Sequence, residues 1–188
     1  MREGLRGQGG FTLPEVLVSM VMMALVLFAL YAVFDAAVRV FAAGRDASEA
    51  SQNARQALAR MEREIRAAYP RDKAGKDATL LTDFGESRIT FGNDLDGDRS
   101  ISEPEEISFA TSPAGLPTRN GVRLAEFARD VDGDGRALTF EYLDAQGGPV
   151  VDERKVALVE VELEISVDRA SQQPVERTLR TTVALRNR

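Results

Sequence analysis

From Val16 to Phe34 the sequence reads VLVSMVMMALVLFALYAVF, with no charged residue and only Ser19 and Tyr31 as clearly polar groups. As a helix rising 1.5 Å per residue, this run spans roughly 28 Å, about the hydrocarbon thickness of a bilayer. A secretory signal has a shorter apolar core, about 7–15 residues, and then a small-x-small cleavage site. This run is longer, and no good site of that kind comes after it. It is apolar all round rather than striped, which argues against a helix buried in a soluble core. A plain signal anchor remains a competing reading.

Arg2 and Arg6 precede the run, with Glu3 between them. The positive-inside rule retains such a leader in the cytoplasm and sends the downstream chain across the membrane. The remaining composition narrows the chemistry. The 188 residues carry 24 Lys+Arg against 30 Asp+Glu, a formal net charge of -6. General nucleic-acid binding, which needs clustered positive charge, is therefore not expected. Cys, His and Trp are absent. That removes disulfides, thiolate or imidazole metal sites and the usual Cys/His nucleophile–base pairs. Any metal would be a hard cation held by oxygens.

Immediately before the apolar run stands Gly9-Gly10-Phe11-Thr12-Leu13-Pro14-Glu15. A carboxylate at the mouth of a membrane helix is costly to bury unpaired and calls for a partner. A cut between Gly10 and Phe11 would create an α-amine four residues before Glu15, able to neutralise it within one chain or between neighbours. Pro14 is tolerated in a first helical turn.

Gly-Phe-Thr-Leu-x-Glu before a long apolar helix resembles the class III signal of type IV prepilins and type II secretion pseudopilins. The resemblance implies cleavage after Gly10 by a membrane-embedded prepilin peptidase and N-methylation of Phe11. It also implies that Glu15 aids docking into a growing filament. The partners it implies are other pseudopilins or pilins, met through the N-terminal helix, and an inner-membrane assembly platform. No proline interrupts the helix pattern between Pro14 and Pro70. Major pilins commonly have one there, so its absence favours a pseudopilin or minor pilin.

Beyond the run, Val38, Phe41, Ala50, Ala54, Leu58, Met61, Ile65 and Ala68 recur mostly at three- or four-residue steps, predicting an amphipathic helix ended by Pro70. Glu62 and Arg66 stand in the favourable i,i+4 order. A single helix from about Leu13 to Ala68 would be roughly 84 Å long. Two helices hinged near Gly44 are the alternative, since glycine weakens a helix by about 1 kcal/mol.

The rest reads as strands. Arg88–Phe91, Glu106–Phe109, Ala137–Tyr142 and Arg177–Arg186 alternate with period two. Val159–Val167 alternates most clearly, with one apolar face and one mostly of glutamate, expected to be solvated. Lys73–Asp83 and Thr111–Pro117 read as loops, Gly147-Gly148 as a turn, and Asp168–Pro174 as another. The predicted fold is α+β, and the resemblance to prepilins implies that it is type IV pilin-like. A long N-terminal helix, membrane-spanning in its first half, packs on an antiparallel sheet. The expected organisation is a cleaved leader over 1–10, a transmembrane half-helix over 11–35 and a periplasmic α+β domain over 36–188. The protein would then be a single-pass inner-membrane protein, entering a filament after assembly.

Two acidic runs stand out. Asp94-Leu-Asp96-Gly-Asp98 begins a stretch with Glu105 at the twelfth position, resembling the EF-hand calcium loop but with Arg99 in place of its sixth glycine. Asn93 and Glu103 offer further oxygens. Asp130-Val-Asp132-Gly-Asp134 repeats the spacing, keeps Gly135 at the sixth position, and has Glu141 at the twelfth. Three carboxylates within five residues repel unless solvated or bridged by a cation, so Ca2+ is a candidate ligand for both. Ordinary solvated Asp-Gly turns are the alternative.

These features point to a structural filament subunit without enzymatic activity. By resemblance in the Gln52–Arg66 helix, the Leu138–Gly147 hairpin and the closing Thr-Thr-Val-Ala-Leu-Arg-Asn, it is similar to the J-type minor pseudopilin, which helps prime or cap a filament for type II secretion. A minor pilin of a surface pilus (motility, adhesion or DNA uptake), a calcium-dependent tip module and an uncleaved anchor are the alternatives.

Overall fold

A computed structural model describes residues 10–70, 80–98, 100–169 and 172–185; for Arg169 and Gln172 the backbone alone is described. The leader before Gly10, Arg99, most of the predicted 73–83 loop, part of the predicted 168–174 turn and the closing Arg-Asn-Arg lie outside these residues.

Helix α1 runs from Leu13 to Arg66, through Gly44. Pro14 and Glu15 fall in its first turn, where a missing N–H costs little and a carboxylate meets the positive end of the helix dipole. The amides of Glu15 and Val16 both donate to the Thr12 carbonyl, at 3.0 and 3.2 Å. The chain divides into two compact units, Met1–Arg45 and Asp46–Arg188.

In the first unit the described side chains of the apolar run are exposed, Leu17, Met20, Leu25 and Phe28 among them. The helix is long and apolar enough to cross a membrane.

In the second unit the helix shows the later part of the stripe its periodicity predicts; Val38 and Phe41, predicted on the same stripe, are exposed in the first unit. Ala50, Ala54, Ala57, Leu58, Met61 and Ile65 are buried, and Ala68 just beyond is also buried. Small residues at four of these positions let other chain elements approach the helix closely. The stripe joins a single hydrophobic core with residues from all the longer strands.

Those strands form two antiparallel sheets rather than the one the alternation predicts. The first contains β1 (Leu81–Gly85), β2 (Arg88–Gly92), β3 (Glu106–Thr111), β4 (Pro117–Arg119) and β5 (Val122–Arg123), in that spatial order. The second contains β6 (Leu138–Leu143), β7 (Leu158–Arg169) and β8 (Gln172–Ala184). Period-two patterning says which face is buried but not which strand pairs with which, so the split was not legible. The sheets meet where the Phe140 amide donates to the Glu86 carbonyl at 2.8 Å and the Thr111 hydroxyl donates to the Leu138 carbonyl at 2.7 Å.

Three predicted loops need correction. Leu81–Asp83 belongs to β1, because Leu81 pairs with Phe91 and its side chain enters the core. Pro117 opens β4 and Thr111 closes β3, so the loop is shorter than predicted. Residues 172–174 already lie in β8, which extends the β7–β8 ladder past the predicted turn. The glutamate face of β7 is also drier than expected. Glu164 is buried where the 127–131 segment runs antiparallel beside β7: Ala128 bridges Ile165, and the Val131 amide donates to the Glu164 carboxylate.

Candidate functional site

Two regions carry the chemistry that the sequence singles out. The first is the head of α1. Phe11 is 81 % exposed and Glu15 stands in the first helical turn four residues on. The Ser19 hydroxyl donates to the Glu15 carbonyl at 2.8 Å, which satisfies it locally inside an otherwise apolar helix. The geometry therefore offers an accessible Gly10–Phe11 bond and a carboxylate at the start of an exposed apolar helix.

The second region is the pair of acidic loops, and they share one local conformation. In the first, the Gly97 amide donates to Asp94 Oδ1 (2.8 Å), the Asp98 amide to Asp96 Oδ1 (3.0 Å) and the Ser100 amide to Asp98 Oδ1 (2.6 Å). In the second, Gly133 donates to Asp130 Oδ1 (2.7 Å), Asp134 to Asp132 Oδ1 (3.0 Å) and Arg136 to Asp134 Oδ1 (2.7 Å). Gly97 and Gly133 have φ of 78° and 86°, the left-handed conformation that glycine adopts without strain. Each loop thereby curls back on its own carboxylates. One oxygen from each of Asp94, Asp96 and Asp98 lies within 4.8 Å of the others, and the same holds for Asp130, Asp132 and Asp134.

Glu105 and Glu141 are not among these grouped oxygens. Glu105 is a buried clamp for the first loop. Its Oε1 accepts the amides of Leu95 (2.8 Å) and Asp96 (3.3 Å), while Oε2 accepts the Ser102 amide and hydroxyl, both at 2.9 Å. The Ser102 and Leu95 amides favour the charged form and hold its pKa down to about 2. Glu141 is exposed in β6, opposite Glu160 of β7.

Sequence reasoning missed the residue that plays the Glu105 part in the second loop. Glu164 Oε2 accepts the Val131 amide at 2.7 Å. Burial pushes its pKa up, against the lowering effect of the Val131 amide, and the nearby Asp132 charge adds to the rise. Glu164 lies outside the twelve-residue spacing of the loop, so no spacing rule could have found it; its only sequence signal was its place on a strand. In the second loop Arg136 also approaches Asp134, with Nε 3.2 Å from Oδ2, and donates to Glu86 at 2.7 Å. In front of the first loop, Asn93 is buried and its Oδ1 has no hydrogen-bond partner among the described residues.

The donor sets fit a hard cation. Two oxygens on one Ca2+ at about 2.3–2.6 Å can stand at most about 5 Å apart, and the aspartate oxygens meet that limit. The three aspartates supply part of a shell of about six to eight oxygens.

Residues 5–31 match the prokaryotic N-terminal methylation motif. The chain carries a type IV prepilin-like signature. The match spans the predicted cleavage junction, Glu15 and most of the exposed apolar run, and the α+β architecture is consistent with a type IV pilin-like fold. No curated protein and no solved structure is significantly similar to this prepilin-like chain. The signature supports a membrane-anchored, single-pass, structural subunit that is processed by prepilin peptidase and assembles with other pilins.

Proposed function

We propose that this chain is a pseudopilin-type filament subunit that helps prime or cap a periplasmic filament for type II protein secretion. In this reading prepilin peptidase cuts after Gly10, Phe11 is N-methylated, and the α+β domain lies in the periplasm. Val16–Phe34 leaves the bilayer for the filament core, where apolar neighbours replace lipid at little cost. The charge of Glu15 is neutralised by the Phe11 amine of an adjacent subunit as the helix docks. The observation that carries this reading is the Gly10-Phe11 junction with Glu15 at the head of an exposed apolar helix. Unbroken helix between Pro14 and Arg66 supports the minor-subunit form over a major pilin.

Calcium binding by the two loops is the second part of the proposal, carried by the converging aspartates. Ca2+ would be held by Asp94, Asp96 and Asp98, and by Asp130, Asp132 and Asp134, with Glu105 and Glu164 setting the loop backbones. Its charge would relieve carboxylate repulsion and fix loops next to strand ends.

Glu15→Ala separates a filament subunit from a simple anchor. The variant is expected to remain in the inner membrane while disappearing from sheared filaments. Normal incorporation of Glu15→Ala would overturn the docking role of Glu15; absence of the parent chain from any filament would overturn the filament role, and its presence in surface pili alone would assign the chain to a pilus instead.

A further inference from the structure

Arg60 of α1 and Arg119 of β4 converge on one carboxylate. Arg60 Nε stands 3.0 Å from Glu64 Oε1, and Arg119 Nε stands 2.8 Å from Glu64 Oε2. Each guanidinium therefore uses its inner nitrogen on Glu64. No further partner of either guanidinium is found among the described residues, so the outer Nη edges stay open. The two Nη groups of one guanidinium can hold a carboxylate end-on through two parallel N–H bonds. Arg123 joins them, its own guanidinium held by the carbonyls of Ala125 (3.0 Å) and Glu126. The three arginines line a pocket of about 230 Å³ with Asn120, Val122 and Leu124. Arg60 and Arg119 share the single carboxylate of Glu64, a local excess of positive charge in a chain of net charge -6, whereas Arg123 also lines the neighbouring cleft with Asp46, Glu126 and Asp168. Val122 at the rim is 71 % exposed.

We propose that this pocket docks an acidic segment of a neighbouring filament subunit. Glu64 pre-orients two guanidinium forks, so an incoming Asp or Glu meets donors whose freedom is already restricted. The exposed Val122 beside them favours a protein segment, with an apolar contact next to its carboxylates, over a free anion. The docking rests on the filament-subunit reading.

A Val122→Cys substitution in this otherwise cysteine-free chain tests it. The full-length protein, in membranes of the producing cell, is labelled with benzophenone maleimide and irradiated, and the adduct is sequenced by mass spectrometry. The expected adduct is a peptide of a pilin-like subunit containing several Asp or Glu residues. Arg60→Gln with Arg119→Gln is expected to lower its yield about tenfold, and Arg60→Lys with Arg119→Lys to restore part of it. Adducts from a Val151→Cys control, placed on another cleft, should not change. If the glutamine pair does not fold, salt replaces it: at about 1 M the Debye length falls to about 3 Å, and the wild-type-arginine yield should drop likewise. An adduct with lipid, nucleic acid or a segment without acidic residues would overturn the proposal. So would the absence of any protein adduct, or a yield indifferent to both charge and salt. N-terminal sequencing of the same sample shows whether the chain was processed, so failed docking is distinguishable from a failed filament reading.

Discussion

The Tyr142 hydroxyl stands 2.9 Å from the Arg88 carbonyl, so a side chain of the three-stranded sheet bonds the backbone of the five-stranded one. The same oxygen lies 3.1 Å from the Gly85 carbonyl and accepts the Gly85 amide at 3.3 Å. Phe84 meets the ring edge-on, with centroids 5.0 Å apart. Burial raises the pKa of this phenol well above its ordinary value, keeping it a donor at all physiological pH.

Tyr142→Phe keeps the ring and removes the hydroxyl. The Gly85 and Arg88 backbone groups then lose a partner at the junction of the sheets. The expected loss is about 1–3 kcal/mol, read by chemical denaturation of the full-length protein in detergent. An unchanged midpoint would mean that this bond does not hold the sheets together.

Met61→Ala tests the helix–sheet core. Met61 is fully buried on the α1 stripe, and deleting such a side chain costs about 2–5 kcal/mol. Phe41→Ala, on the exposed first unit, should leave the unfolding of the second unit unchanged.

The two loop glutamates should give opposite pH signatures. Glu105 has a pKa depressed from 4.5 to about 2, so its stabilisation is complete above 4.5 and is lost as pH falls toward 2. Glu105→Gln should therefore destabilise at pH 7, with the gap closing in acid. Glu164 has a raised pKa; its favourable contribution is complete below 4.5 and is lost as pH rises through the raised value. Glu164→Gln, which keeps an acceptor for Val131, should equal or exceed the parent in stability at pH 7. Reversed signs in a pH series of denaturation curves would refute this assignment.

Calcium should stabilise the folded chain by about 2.7 kcal/mol at a hundredfold excess over its dissociation constant for one site. Asp94→Asn with Asp96→Asn should remove the first-loop share. The second loop should bind more weakly, because Arg136 already places a positive charge on Asp134. Equal thermal midpoints with calcium and with chelator would leave both loops as solvated turns.

The long helix and most strands were legible because each buries one face at a fixed period: Ala50–Ala54–Leu58–Met61–Ile65 at helical steps, Val159 to Val167 at alternate positions. The prepilin-like signature over residues 5–31 was legible as a local motif. What the sequence could not reveal depends on distant partners. Leu81 joins a strand because Phe91 pairs with it. Glu164 leaves solvent where the 127–131 segment pairs beside β7 and Val131 donates to its carboxylate. The twelfth-position rule chose Glu141, whereas the loop is held by Glu164, thirty-three residues from Val131 in the chain.

The decisive measurement is intact mass and N-terminal sequencing of the membrane-extracted protein, from cells with active prepilin peptidase. A mature chain that begins at N-methylated Phe11 is expected. A chain that still begins at Met1 would contradict it.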